Sequence, residues 1–356
     1  MIKILIVDDS PTEVALIKYI IDSAEDMTVI GVAQNGREAI ALTAQLKPDL
    51  ITMDIQMPVM DGLRATQIIM SQYPIPIVVI SSTINDESLP AIFHVLEAGA
   101  LTAIAKPDDV FAPTFEDRRK YIIDTLRSLS EIRVTKKPLK IVPHYHSKEH
   151  KSPLRERRTH YELVAIGASI GGPIALKTIL SQLPVDFPVP IVVVQHMSIG
   201  FISGFTRWLQ ENIDLKVKIA TDQEVLHKGT VYIAPEQMHL EISQNDHQLT
   251  CHLVNRAATD NFCPSITRML QSVAAVSGAK AIGVLLTGMS DDGALGLLEL
   301  KKAGGHTVIQ NSQSAVVFGM GAVAQSMDAV DKVIDLKHIA NYLIDLCIDS
   351  VDHSDG

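Results

Sequence analysis

Cysteine is scarce: Cys251, Cys263 and Cys347 are the only three in 356 residues, and no two of them have CxxC spacing. They offer neither a disulfide framework nor a zinc site, and a reducing compartment fits them. Long apolar runs are also missing, since none reaches the roughly 18 uncharged residues a membrane span needs. The apolar start Ile2-Lys3-Ile4-Leu5-Ile6-Val7 meets Asp8 and Asp9 instead of a cleavage site, so the expectation is a cytoplasmic protein without membrane insertion. Positive charge is short, with 31 Lys and Arg against 41 Asp and Glu and a net charge of −10. Phosphate backbones require a basic face, so no nucleic-acid partner is expected. What is present is 47% hydrophobic and 20% charged, which excludes disorder, collagen repeats and coiled coil. The length exceeds what one core usually organises and favours two domains.

The charge is unevenly placed. Residues 1–133 carry 11 Lys and Arg against 19 Asp and Glu, residues 134–160 carry 8 against 2, and residues 161–356 carry 12 against 20. The basic strip VTKKPLKIVPHYHSKEHKSPLRERRTH holds three prolines and no sustained helical period, so it reads as a solvated connector. Its histidines, His144, His146, His150 and His160, have no supporting carboxylate or cysteine geometry that would make a metal site. The expected division is 1–130, a basic linker 131–160, and 161–356.

Short apolar runs alternate with amphipathic segments on both sides of that strip. Ile4 to Val7, Thr28 to Val32, Leu50 to Met53, Ile77 to Ile80 and Leu101 to Ala105 read as strands of five βα units. Leu163 to Ile166, Ile191 to Val194, Ala281 to Leu286 and Thr307 to Ile309 repeat the pattern. The fold class is therefore α/β, with two doubly wound parallel-sheet domains, flavodoxin-like first and Rossmann-like second. Polar residues interleave between Thr230 and Leu253, which predicts an antiparallel hairpin turning at Asn245-Asp246.

Open α/β sheets bind ligands at the carboxyl ends of their strands. In the first domain those ends carry Asp8 and Asp9, Asp54, Ser81 and Lys106. Converging carboxylates repel one another unless a hard cation sits among them, which points to Mg²⁺ and phosphoryl transfer. Val7-Asp8-Asp9-Ser10, the segment from Met53 to Gly62, and Ala105-Lys106-Pro107 resemble the response-regulator receiver domain over about residues 1–130. The resemblance implies Asp54 as phosphoacceptor and a histidine kinase as phosphodonor. It also implies Asp9, Asp54 and the Gln56 carbonyl as Mg²⁺ ligands, Asp8 as a ligand through water, Ser81 as switch hydroxyl and Lys106 as phosphate contact. Ala103 stands where receivers usually carry an aromatic residue, which puts their usual relay in doubt.

In the second domain Gly167-Ala168-Ser169-Ile170-Gly171 follows a strand and opens a helix, a turn that suits either an exposed nucleophile or a phosphate cradle. Gln195-His196-Met197 and Thr287-Gly288-Met289-Ser290-Asp291-Asp292-Gly293 close two further strands. Serine, histidine and aspartate at three strand ends permit a Ser-His-Asp relay needing no metal. The spans GASIGGPIAL, QHM, YIAP before His239-Leu240, LLTGMSDDGALGL and KKAGGHTVIQ resemble the chemotaxis protein-glutamate methylesterases, the CheB family, over roughly 160–345. That resemblance implies hydrolysis of glutamate γ-methyl esters on chemoreceptor cytoplasmic helices, often with glutamine deamidation. Ser169 becomes nucleophile, His196 base and Asp292 orienting acid, with Asp291 its rival and Met289 N–H an oxyanion donor. Ile170, Ser198, Ser290 and Cys263 depart from the family pattern, and Ile170 and Cys263 are expected to line the substrate approach. Cys263 itself, with no strand-end turn or paired histidine, is not expected to be a nucleophile. The competing reading is a non-catalytic response regulator whose second domain binds a protein or nucleic acid.

Overall fold

The computed structural model describes residues 1–81, 89–107, 112, 115–136 and 160–348. The chain divides into two compact units, residues 1–146 and 147–356. Most of the expected basic linker, residues 137–159, lies outside the described residues.

The first unit runs β1 (Ile2–Val7), α1 (Pro11–Asp22), β2 (Met27–Ala33), α2 (Gly36–Leu46), β3 (Leu50–Met53), α3 (Gly62–Gln72), β4 (Ile77–Ser81), α4 (Leu89–Ala98), β5 (Thr102–Ala105) and α5 (Phe115–Ser130). All strand pairings are parallel, in the order β2-β1-β3-β4-β5. β3 and β4 are buried along their whole length, as strands covered by helices on both faces must be. The start of α1 is fixed locally: Ser10 accepts the Glu13 N–H and Pro11 occupies the first turn, where its missing N–H costs nothing. The order reverses between β1 and β3, so Asp8 and Asp54 leave adjacent strands at the point where the connecting helices part.

The second unit runs β6 (Leu163–Ala168), α6 (Gly172–Leu180), β7 (Ile191–Gln195), α7 (Ile202–Asn212), β8 (Lys216–Ile219), β9 (Thr230–Ile233), β10 (Met238–Asn245), β11 (Gln248–Asn255), α8 (Ile266–Val276), β12 (Ala281–Leu285), α9 (Ala294–Lys302), β13 (His306–Gln310), α10 (Gly319–Ser326), β14 (Lys332–Ile334) and α11 (Leu336–Cys347). Seven of these strands form a parallel sheet, β14-β13-β12-β6-β7-β9-β8, and β10-β11 form a separate antiparallel pair. The chain leaves β6 toward β7 and later returns to β12 on its other side, so this sheet also reverses, here at β6. Leu270, Val273, Leu297 and Leu300 from α8 and α9 pack with Leu163, Val192 and Leu285 of the sheet in one buried cluster.

The hairpin is shorter than expected. Thr230–Ile233 pairs in parallel with β7 and β8 inside the large sheet, and the hairpin spans only Met238–Asn255. Its turn is Asp246-His247, with φ of 46° and 64°, the paired positive angles of a two-residue hairpin turn. The edge strands β8 and β14 were not foreseen: Lys216-Val217-Lys218-Ile219 and Lys332-Val333-Ile334 are too short and too polar to stand out as apolar runs. Among the described residues no helix is long and apolar enough to cross a membrane.

A β-branched residue tolerates positive φ poorly, at a cost of roughly 1–2 kcal/mol. His247→Val is therefore expected to lower the melting temperature of the second unit by a few degrees. Fluorescence of Trp208, the chain's one tryptophan and a buried residue of that unit, follows this transition alone.

Candidate functional site

Each unit gathers its reactive groups at its own strand-order reversal. In the first, the registers Val7↔Met53 and Ser81↔Ala105 set Asp8 beside Asp54 and Lys106 beside the end of β4. Asp54 N–H donates to the Val7 carbonyl at 2.8 Å and Lys106 N–H to the Ser81 carbonyl at 3.0 Å. The Lys106 ammonium is buried and lies 2.6 Å from Asp8 Oδ2 and 3.3 Å from Asp54 Oδ1. Burial lowers its pKa, opposed by the Asp8 carboxylate. Burial, reinforced by the Asp8 charge, pushes the Asp54 carboxyl up to about 7 although the Gln56 N–H donates to Oδ2 at 3.0 Å. Gly62 stands close to the same turn, where a Cβ would come 2.0 Å from the Asp54 carbonyl.

Glu13 is the unforeseen member. Ser10-Pro11-Thr12-Glu13 reads as a capping box, which would send the Glu13 carboxylate back to the Ser10 N–H. That N–H instead donates to Asp8 Oδ1 at 2.9 Å, and Glu13 pairs with Lys106. Oxygens of Asp8, Glu13 and Asp54 lie within 4.8 Å of one another, a hard-oxygen set that fits a divalent cation. Asp9 and Gln56 are exposed, and Ser81 is buried at the end of β4.

In the second unit, Ser169, His196 and Thr287 leave three neighbouring strands. Ala168 is in register with Gln195, so Ser169 and His196 follow one residue beyond a paired position. His196 N–H donates to the Ala168 carbonyl at 2.9 Å and Ser169 N–H to the Thr287 carbonyl at 3.0 Å. Gln195 reinforces this, its buried amide donating 2.8 Å bonds to the carbonyls of both Ser169 and His196. His196 Nε2 lies 2.9 Å from Asp292 Oδ2, a close electrostatic contact. The ring is held from the other side by Phe262, stacked at 5.2 Å between centroids with 4° between planes.

Asp292, two residues before α9, is 5% exposed and its carboxylate meets the start of α8. Its Oδ1 accepts from Ser265 Oγ and Thr267 N–H, each at 2.9 Å, and its Oδ2 accepts from Ile266 N–H at 2.7 Å. Burial opposes its ionisation, but His196 and the Thr267 amide outweigh that and hold the carboxyl at about 2. Asp291, the rival acid, is exposed. Gly288 lies so close that a Cβ would come 2.6 Å from Ser169 Cβ. The Ile170 and Gly171 N–H groups, just past Ser169 at the start of α6, have no hydrogen-bond partner among the described residues. These donors and Phe262 were missed because neither a free N–H nor a stacked ring has a sequence signature.

Two departures acquire physical meaning. Ser290 takes φ 103°, in the region that favours glycine. Ile170 is only 3% exposed, so it belongs to the core and does not line the substrate approach as expected. Cys263 is half-buried with its thiol pushed upward by burial, the opposite of a reactive cysteine.

Two strand-end constellations on two doubly wound sheets are thus on view: carboxylates around a buried lysine, and a serine and a histidine just past paired strand ends with an aspartate facing the histidine. Family models for the response regulator receiver domain and the CheB methylesterase match residues 4–111 and 164–343. The chain belongs to the CheB methylesterase family. It is 38% identical, over 96% of its length and 97% of the relative's, to a protein-glutamate methylesterase/protein-glutamine glutaminase of Methanospirillum hungatei. It is 40% identical, over 96% of both, to one of Myxococcus xanthus. The Thermotoga maritima CheB methylesterase catalytic domain, at 36% identity and TM-score 0.51, covers 52% of this chain and 98% of its own.

The folded-state pKa of Asp292 lies below the 3.8 of a free carboxyl. It therefore contributes stability that is fully present above that value and is lost as pH falls through about 2. Taking the pH from 5 to 2 is expected to shrink the difference in unfolding free energy between wild type and Asp292→Asn by about 2 kcal/mol. Urea titrations followed at Trp208 check this; a difference independent of pH would remove the buried charged acid.

Proposed function

We propose that this chain is a phosphorylation-regulated protein-glutamate methylesterase, also able to deamidate glutamine, acting on the cytoplasmic helices of chemoreceptors. The observation that carries the reading is the 2.9 Å contact of His196 with the buried, ionised Asp292, beside a serine one residue past the paired ends of β6 and β7. His196 takes the proton of Ser169 Oγ as that oxygen attacks the ester carbonyl carbon. Asp292 orients the ring and stabilises the imidazolium that forms. The oxyanion is met by N–H groups of the strand-end turns: Met289, as the family resemblance implies, together with Ile170 and Gly171, whose free donors support that place. One such donor is worth about 3 kcal/mol in an acyl-transfer site. The ester C–O bond breaks, methanol leaves with the proton from His196, and water then splits the acyl-serine to release glutamate. With a glutamine amide the leaving group is ammonia.

The first unit supplies the control. Asp54 accepts the phosphoryl group from a histidine kinase, and Lys106 and Ser81 meet the added oxygens. Asp8, Asp9, Asp54 and the Gln56 carbonyl would hold Mg²⁺, with the nearby Glu13 carboxylate beside them. The cation would neutralise charge developing on the transferred phosphoryl group. The enzyme works in the cytoplasm. A purely binding second domain is not favoured, since binding alone requires no ionised acid set against a histidine.

Ser169→Ala and His196→Ala are expected to cut methanol release from methylated receptor by a similar factor, on the order of 10⁶, with Asp292→Ala costing less, about 10⁴. A serine-directed phosphonate should label wild type and leave Ser169→Ala unlabelled. If Asp291→Ala cripples turnover while Asp292→Ala is mild, the choice of acid is wrong.

Labelling by acetyl phosphate is expected to vanish in Asp54→Asn and in wild type treated with EDTA, and to return for wild type when Mg²⁺ is restored. Full labelling of Asp54→Asn, or equal labelling of wild type in EDTA, would overturn the receiver assignment.

A further inference from the structure

A second histidine-carboxylate pair lies in the hydrolase unit, outside the groups assigned above. His239 on β10 is fully buried, and its Nε2 lies 2.9 Å from Asp260 Oδ2. The Ser265 backbone N–H donates to His239 Nδ1 at 3.2 Å. An amide N–H can only donate, so Nδ1 carries a lone pair and the ring proton sits on Nε2, facing Asp260. Asp260 Oδ2 also accepts the Ala257 N–H at 2.7 Å and lies 3.7 Å from Arg268 Nη1. Ser265 passes the connection onward: its hydroxyl donates to Asp292 Oδ1 at 2.9 Å, and Asp292 Oδ2 faces His196. The contacts thus run from Asp260 through His239, Ser265 and Asp292 to His196.

The loop between the two ends of this chain carries Phe262, the ring stacked on His196. It is gripped at Ala257 by Asp260 and at Ser265 by His239 and Asp292. A fully buried imidazole is costly unless both nitrogens are satisfied, and here the groups that satisfy them lead to the two residues that orient the catalytic base.

We propose that His239, with Asp260, is a positioning pair for the esterase reaction, fixing loop 257–265 so that Ser265 keeps its bond to Asp292 and Phe262 stays flat against the His196 ring. The inference rests on the Ser169-His196-Asp292 reading. It adds a function for a histidine that touches neither the nucleophile nor the base.

The test uses the full chain, phosphorylated, with methylated receptor fragment as substrate and phosphonate labelling of Ser169 as a second readout. His239→Leu is expected to lower kcat about tenfold or more with KM within about twofold, and to slow labelling in parallel. His239→Gln, whose amide can accept from Ser265 and donate to Asp260, should recover most of both. The decisive arm is a double-mutant cycle. In an Asp292→Ala background the fold-loss from His239→Leu should shrink several-fold, because the part of its effect carried by the Ser265–Asp292 bond is already gone and only the Phe262 contact remains to be lost. The same fold-loss in both backgrounds, or a raised KM with kcat kept, would overturn the proposal. Asp260→Asn, at the more exposed end, must act in the same direction if His239→Leu does not fold; wild-type kcat there sinks the idea. Failure of this inference shows as an inert Ser169→Ala beside a fully active His239→Leu. Failure of the hydrolase reading shows as activity persisting in Ser169→Ala.

Discussion

Parallel strands joined by right-handed crossovers leave their helices on alternate faces, and where strand order reverses those helices diverge. The crevice left there is where backbone ends converge without side chains filling the space. β6 has β7 on one side and β12 on the other, so three turns meet at its end: Ser169, Gln195-His196 and Thr287-Gly288. The first unit repeats the arrangement with β1 and β3. The tight packing of Gly288 against Ser169 Cβ and of Gly62 against the Asp54 carbonyl follows from this crowding of main chain. A methyl group at either glycine has nowhere to go unless the reactive residue moves.

The two crevices handle buried charge in opposite ways. Lys106 draws three carboxylates toward one ammonium. Negative charge there exceeds positive charge, and a cation or a new phosphoryl group must change the balance. Asp292 is instead held by His196 on one side and by neutral donors at the start of a helix on the other, which together favour the anion. The first pocket is built to respond to an added group. The second holds its acid ionised well below neutral pH.

Much of this could be read from the residues. Strand ends reveal themselves where an apolar run stops at Asp8-Asp9, Asp54, Ser169 or His196, because period and punctuation are local properties of the chain. The hairpin boundary escaped because Thr230–Ile233 and Met238–Asn245 lie only a few residues apart but have different partners, and pairing is a long-range outcome. Glu13 escaped for a subtler reason. Its local pattern satisfies a capping rule, yet Asp8 reaches the Ser10 N–H and a lysine 93 residues away takes the carboxylate. Phe262 and His239 act through contacts 20 or more residues distant, beyond the reach of any motif.

The outer strands of the hydrolase sheet, β8 and β14, are four and three residues long and carry Lys216, Lys218 and Lys332. Short, lysine-bearing edges discourage another chain from adding itself as an eighth strand. A target polypeptide then gains little from pairing its main chain with these two edges, the means by which many peptide-processing proteins read extended segments. A glutamyl ester carried on a helix, whose backbone is already hydrogen-bonded within itself, needs no such edge.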